Sequence, residues 1–141
     1  YKDEHLGCAV AVKLPTCEPG EETARRFTAE MRSMGKLRHP HVVTAFYSGQ
    51  HAGRPYLVMD YCSGGTLLDR VWRRGDPVPL PPAALGGWLQ AIADALDFTH
   101  ARGFLHRDVK PANILFDDHG TARLGDFGVV KAVAALTDPG A

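Results

Sequence analysis

The sequence predicts an α+β fold, and three observations carry that prediction. Short apolar runs bounded by Gly, Pro, Asp or Asn read as strands at 8–13, 42–47, 55–61, 114–116 and 121–124. Two longer stretches, 21–38 and 82–101, instead carry apolar residues at helical spacing. The last two strands flank Asp117-Asp118-His119-Gly120, whose turn chemistry closes them into a hairpin. At 141 residues and 45% hydrophobic content the chain suits one domain with a buried core.

Composition narrows the function. Sixteen basic and sixteen acidic side chains cancel, so no global field favours nucleic acid or an anionic membrane. Cys8, Cys17 and Cys62 are odd in number and lack zinc-like spacing, which fits reduced thiols in a cytoplasmic protein. His39 and His41 flank Pro40 without further ligands at metal spacing. No apolar run approaches the ~20 residues of a membrane span, and no signal peptide opens the chain.

Taken in order, Cys8 to Lys13 is the first strand, with Ala9, Ala11 and Lys13 on one face and Val10 and Val12 on the other. Lys13 therefore ends a strand beside small residues, where a flat ligand can approach. The helix expected over 21–38 has acids in its first turn, Lys36 and Arg38 in its last, and an apolar stripe of Phe27, Met31, Met34 and Leu37. Glu30 lies on that stripe, where an inward carboxylate needs a partner; an Arg26–Glu30 surface pair at i,i+4 is the equal alternative. Strands at 42–47 and 55–61 surround the turn His51-Ala52-Gly53-Arg54, and the second runs into Cys62-Ser63-Gly64-Gly65. Thr66 to Arg73 is a short helix candidate, followed by a proline-rich loop over 76–82. In the helix over 82–101, Leu85, Leu89, Ile92 and Leu96 form the expected buried face. Gly86 and Gly87 weaken it by ~1 kcal/mol each relative to alanine, so burial is expected to hold it.

The chemistry concentrates in HRDVKPAN at 106–113 and GDFG at 125–128. A hairpin brings directly opposed residues to ~5 Å. Asn113 precedes its first strand and Asp126 follows its second, so both project from the open end. Amide and carboxylate oxygens there suit a hard cation. Asp108 lies just upstream.

These motifs resemble the protein kinase family, whose template supplies the roles that follow. The resemblance implies a two-lobed kinase-like fold, truncated at both ends. Residues 1–59 would be part of the small lobe, 60–65 the hinge, and 66–141 part of the large lobe through the DFG motif and the start of the activation segment. By the same resemblance Asp108 is the catalytic base and Lys110 meets the transferred phosphoryl group. Asn113 and Asp126 hold Mg2+, Asp126 bridging the phosphates. The strand VAVK and the helix behind it resemble the kinase small lobe, where Lys13 anchors the ATP phosphates and pairs with Glu30. YLVMDYCSGG at 56–65 resembles the strand-to-hinge segment. Met59 would be the gatekeeper, the backbones of Asp60 and Cys62 would hydrogen-bond adenine, and Ala11 and Leu115 would sandwich it. Without a ligand, the same residues describe an edge strand ending in a turn. Met34, Ala45, His106 and Phe127 align with the family's regulatory hydrophobic column. Arg107 resembles the arginine of kinases whose activation loop is ordered by phosphorylation.

The implied reaction is transfer of the ATP γ-phosphoryl group to a hydroxyl of a protein substrate, and Lys110 within DVKPAN resembles the serine/threonine class. A pseudokinase, or a nucleotide-binding scaffold or interaction module, is the alternative; the intact Lys13, Glu30, Asp108, Asn113 and Asp126 argue against it. Small-molecule phosphotransferases of related fold tend to carry HGD, so HRDVK disfavours them. No GxGxxG precedes Lys13 and no APE follows GDFG. The expectation is a partial catalytic domain with little activity alone, from a parent whose membrane tether, if any, lies elsewhere.

Overall fold

A computed structural model of the chain describes residues 1–15, 21–73, 75–126 and 131–132, without the side chains of residues 21–24, 26, 30, 33, 73, 131 and 132. Strands β1 (Val10–Lys13), β2 (Ala45–His51) and β3 (Arg54–Asp60) form an antiparallel sheet in the order β1-β3-β2. Helix α1 (Glu21–Met34) lies between β1 and β2 in sequence and contacts both β2 and β3. Beyond the sheet come α2 (Leu67–Val71), the paired two-residue strands β4 (Trp72–Arg73) and β5 (Asp76–Pro77), and α3 (Gly86–His100). Strand β6 (Phe104–Leu105) pairs with β9 (Lys131–Ala132), and β7 (Ile114–Phe116) pairs with β8 (Ala122–Leu124) as the expected hairpin. The result is mixed α+β, a sheet portion followed by a helical portion.

Local chemistry accounts for several of these elements. Ala52 (φ 49) and Gly53 (φ 75) both adopt left-handed backbone, which makes the two-residue turn joining β2 to β3 of the primed kind that matches strand twist. Helix α1 ends four residues earlier than its charge pattern suggests. Gly35 N–H donates to Met31 O and Leu37 N–H to Met34 O, tightening the chain into a turn. Lys36 and Arg38 consequently lie past the helix end, and Arg32 is the basic residue in its last turn. The stripe survives the shortening, because Phe27, Met34 and Leu37 are buried and Met31 packs against them.

Strand β2 corrects a second expectation. It spans 45–51 rather than 42–47, with a bulge between Ala45 and Tyr47. Residues 41–43 satisfy their backbone elsewhere: Leu124 N–H donates to His41 O, and Val43 N–H donates to Leu124 O. That exchange fastens β8 to the chain entering the sheet. The segment after Thr66 is helical only to Val71, and Trp72–Arg73 turns back to pair with Asp76–Pro77.

Helix α3 keeps part of the expected face, with Ile92 buried and Leu96 packed against the core, and extends it over residues the leucine pattern did not name. Ala91, Ile92, Ala95 and Thr99 are buried, spaced at three and four residues, whereas Leu89 is 52% exposed. Small alanines let this face approach β8, which α3 contacts. Gly86 and Gly87 sit in the exposed first turn, where a glycine costs less than in a helix interior. The burial expected to hold the helix comes further along it, at Ala91, Ile92, Ala95 and Thr99. The core is continuous from Phe27, Met34 and Leu57 beneath the sheet to Ile92, Ala95, Phe116 and Leu124 between α3 and the hairpin.

Candidate functional site

A cavity of about 360 Å³ opens where the sheet, the segment after β3 and the hairpin meet. Ala11 stands opposite Met59 in the β1–β3 register, and Ala11, Lys13 and Met59 line one wall. Val10 and Val12 point to the other face of the sheet, so the strand alternation read from sequence holds. Leu115, Asn113 and Asp126 line the facing wall, and Asp60, Tyr61 and Cys62 line the back. Every residue expected to contact the base therefore reaches one slot.

The linker at the back is fixed by its own backbone. Asp60 N–H donates to Thr44 O at 3.0 Å, so the carbonyl is what Asp60 offers a ligand from its main chain. Gly64 N–H donates to Phe116 O at 2.8 Å, and Phe116 N–H donates to Gly65 O at 2.9 Å. A Cβ on Gly64 would lie 2.7 Å from Asp117 O, so only glycine permits this crossing of linker and hairpin. Cys62 is buried, and burial pushes its thiol up, which keeps it protonated.

At the other end the acids and lysines converge. The Asn113 side-chain amide donates to Asp108 O at 2.8 Å and to Asp108 Oδ2 at 3.0 Å. Lys110 Nζ lies 2.8 Å from the same Oδ2. That lysine contact is the main reason the Asp108 carboxyl is held below its ordinary range, with Asn113 adding to it. Asp108 raises Lys110 in return. Both groups face water, so this pair orients the carboxylate more than it stabilises the fold. Arg107 (φ 63) and Asp126 (φ 56) hold left-handed backbone without being glycine, and both flank the chemistry.

The hairpin prediction for Asn113 and Asp126 is matched by their shared cavity, with Gly125 N–H donating to Asn113 O at 2.9 Å. Lys13 Nζ sits 2.8 Å from Asp126 Oδ1. The backbone of Glu30 lies on α1, but its side chain is outside the described residues, as is Phe127. Met34, Ala45 and His106, the other three members of the expected column, are buried. Among the described residues no group of three His, Cys, Asp or Glu could hold a metal. One amide oxygen and one carboxylate nonetheless suit magnesium, which keeps several waters and commonly shares substrate phosphates.

Met34, Val43, Tyr61, Ala112 and Gly125 also line the cavity, although the sequence pattern assigns none of them a ligand contact. Val43 arrives through the Leu124 backbone exchange, which no local pattern announces. Ala112 and Gly125 flank Asn113 and Asp126, and their smallness was the available signal. A Cβ on Gly125 would meet Leu115 Cδ1 at 2.5 Å, so a larger residue here would shift the Leu115 side chain.

The family model described as protein kinase domain matches residues 1–138. Serine/threonine-protein kinase PknL of Mycobacterium tuberculosis is 40% identical over 117 residues, covering 83% of this chain and 29% of the relative. PknK of the same organism is 40% identical over 128 residues, covering 89% of the chain and 11% of the relative. CBL-interacting serine/threonine-protein kinase 7 of Arabidopsis thaliana is 38% identical over 128 residues, covering 90% and 29%. The chain thus spans less than a third of the length of these relatives.

Proposed function

The chain belongs to the eukaryotic-like serine/threonine protein kinase family, and on that premise we propose that it carries the ATP-binding and phosphoryl-transfer centre of a protein serine/threonine kinase. The observation that carries this reading is the convergence of Lys13, Asp108, Lys110, Asn113 and Asp126 at one end of a slot whose other end is apolar. Residues 1–59 form the small-lobe portion in this reading, 60–65 the hinge, and 66–141 the large-lobe portion through the start of the activation segment. Adenine lies between Ala11 and Leu115, beside Met59, and meets the Asp60 carbonyl and the Cys62 N–H.

In the kinase template the transition state spreads charge over the phosphoryl oxygens, so positioning and cation stabilisation supply most of the catalysis. Lys13 neutralises the non-transferred phosphates, partnered by Glu30. Lys110 meets charge on the transferred group, and Asp108 accepts the proton of the substrate hydroxyl. Asp108 suits that task because Lys110 and Asn113 keep it ionised and aimed. Asn113 and Asp126 would hold Mg2+, which when bound supplies charge neutralisation between the phosphates. Lys13 on Asp126 balances that carboxylate when no divalent ion is bound.

Purified protein, as encoded by its full reading frame, is expected to transfer labelled γ-phosphate from ATP to serine or threonine of a protein acceptor. Asp108→Asn should lower that rate by about 10²-fold or more while leaving ATP binding in place. ATP binding without transfer to any protein acceptor would replace this reading with a nucleotide-binding scaffold.

A further inference from the structure

One side chain outside the cavity lining joins the linker to the hairpin. Arg123 stands opposite Leu115 in the β7–β8 register, so the two share a face of the hairpin. Leu115 lines the slot. Arg123 reaches along the same face to two carboxylates on different elements. Its Nη1 donates to Asp60 Oδ2 at 3.2 Å, and its Nε donates to Asp117 Oδ2 at 3.3 Å.

Backbone amides fix both acceptors. Asp60 Oδ2 also accepts Thr44 N–H at 2.9 Å. Asp117 Oδ1 accepts the N–H groups of Thr121 at 2.8 Å and His119 at 3.0 Å, which ties it to the hairpin turn. The three side chains are only 26%, 25% and 13% exposed, so solvent screens this bridge less than the Asp108–Lys110 pair. The far end of the linker is already pinned through Gly64, Gly65 and Phe116. Arg123 ties its near end, at Asp60, directly to the hairpin.

We propose that Arg123 is a positioning residue for the nucleotide base, clamping the linker to the hairpin and so setting the distance between the Asp60–Cys62 backbone and the Leu115 floor. This rests on the nucleotide reading above. Without Arg123, Asp60 and Asp117 lose the cation they share, and the base end of the slot loosens. Arg123 engages Asp60 and Asp117 at the base end, whereas Lys13 and Lys110 engage Asp126 and Asp108 at the phosphate end. The loss therefore falls on recognition of the base rather than of the triphosphate.

Displacement of a fluorescent ATP analogue by ATP and by inorganic tripolyphosphate, each with Mg2+, separates the two ends. Arg123→Met is expected to weaken ATP about fivefold to tenfold while tripolyphosphate stays within about twofold. Arg123→Lys should recover part of the loss, because an ammonium supplies the charge without the guanidinium fork. If Arg123→Met does not fold, judged by its thermal melt, Arg123→Gln and Arg123→Lys carry the same comparison. Unchanged ATP affinity, or equal weakening of both ligands, overturns the proposal. Failure of the unsubstituted protein to bind ATP overturns the nucleotide reading and this inference with it; normal binding that ignores Arg123 sinks only the inference.

Discussion

His106 is buried in surroundings that disfavour its protonated form. Its Nδ1 accepts Asp108 N–H at 3.3 Å, so Nε2 must be the protonated nitrogen that donates to Gly125 O at 2.8 Å. One imidazole thereby ties the backbone at Asp108 to the residue before Asp126. Burial depresses its basicity below the ordinary 6.5, outweighing the opposing pull of the Gly125 carbonyl and of Asp108 and Asp126. A depressed folded-state value means that the unfolded chain takes up the proton first as pH falls. The stabilisation is therefore complete above about 6.5 and is lost as pH drops through that value towards the lower folded one. Urea unfolding of the unsubstituted chain should lose stability below this point, with His106 contributing at most ~1.4 kcal/mol per pH unit. The difference between unsubstituted chain and His106→Gln should shrink as pH falls from 7 to 5. A difference constant with pH would mean that His106 does not titrate in this window. Sequence reading reached His106 only as a packing residue. Its second bond, to the carbonyl of Gly125, depends on a fold that brings positions 19 residues apart together.

Helix α2 shows what holds a very short element. Five residues cannot nucleate a helix alone, so its caps and neighbours must do so. Thr66 caps it: the hydroxyl accepts Asp69 N–H at 3.2 Å, and the Asp69 carboxylate accepts Thr66 N–H at 2.8 Å. Thr66 also bridges to Leu115, so the cap sits where the linker leaves the hairpin. Replacing Thr66 with alanine should cost about 1 kcal/mol in urea unfolding, and serine should restore most of it. Equal stability of the alanine and serine variants would show that the hydroxyl contributes nothing. Elements of this kind were legible because their signals are local, as with the turn at Ala52-Gly53 and the hairpin around Asp117–Gly120. The bounds of strand β2 and the alanine side of α3's buried face were not. Val42 and Val43 have strand-like side chains, but their partner is β8, some 80 residues away, and a window of sequence contains only one side of that exchange. Leu89 is as apolar as Ile92, yet the small Ala91 and Ala95 mark the face that can approach β8. The meeting of Lys13, Asn113 and Asp126 at one cavity was more legible than the packing around it, because two of them sit at the open end of a local hairpin, whereas a core admits many arrangements.

Across the whole molecule, the slot is lined by separate elements: β1 and β3 on one wall, the hairpin on the other, the linker behind. A ligand that touches all three should stabilise the fold as a unit, by mass action on the native state alone. The charges at its open end decide how that stabilisation depends on metal. Asp108 and Asp126 are acids, and the lysines facing them are already engaged with them, Lys110 on Asp108 and Lys13 on Asp126. An ATP tetra-anion entering without metal must draw these lysines from their carboxylates and leave the carboxylates facing phosphate oxygens. A divalent ion would remove that conflict if Asn113 and Asp126 hold it as proposed. ATP alone should therefore raise the melting temperature little, and ATP with excess Mg2+ should raise it by several degrees. Ligand at 100 times its dissociation constant corresponds to about 2.7 kcal/mol. EDTA should return the melt to the ATP-only value. Asp126→Asn should abolish the magnesium increment while preserving the melting temperature of the ligand-free chain to within a few degrees, because the Lys13–Asp126 pair is partly exposed and contributes little to the fold. An equal shift by ATP with and without Mg2+, or a magnesium increment that survives Asp126→Asn, would show that the cation does not enter through this hairpin end.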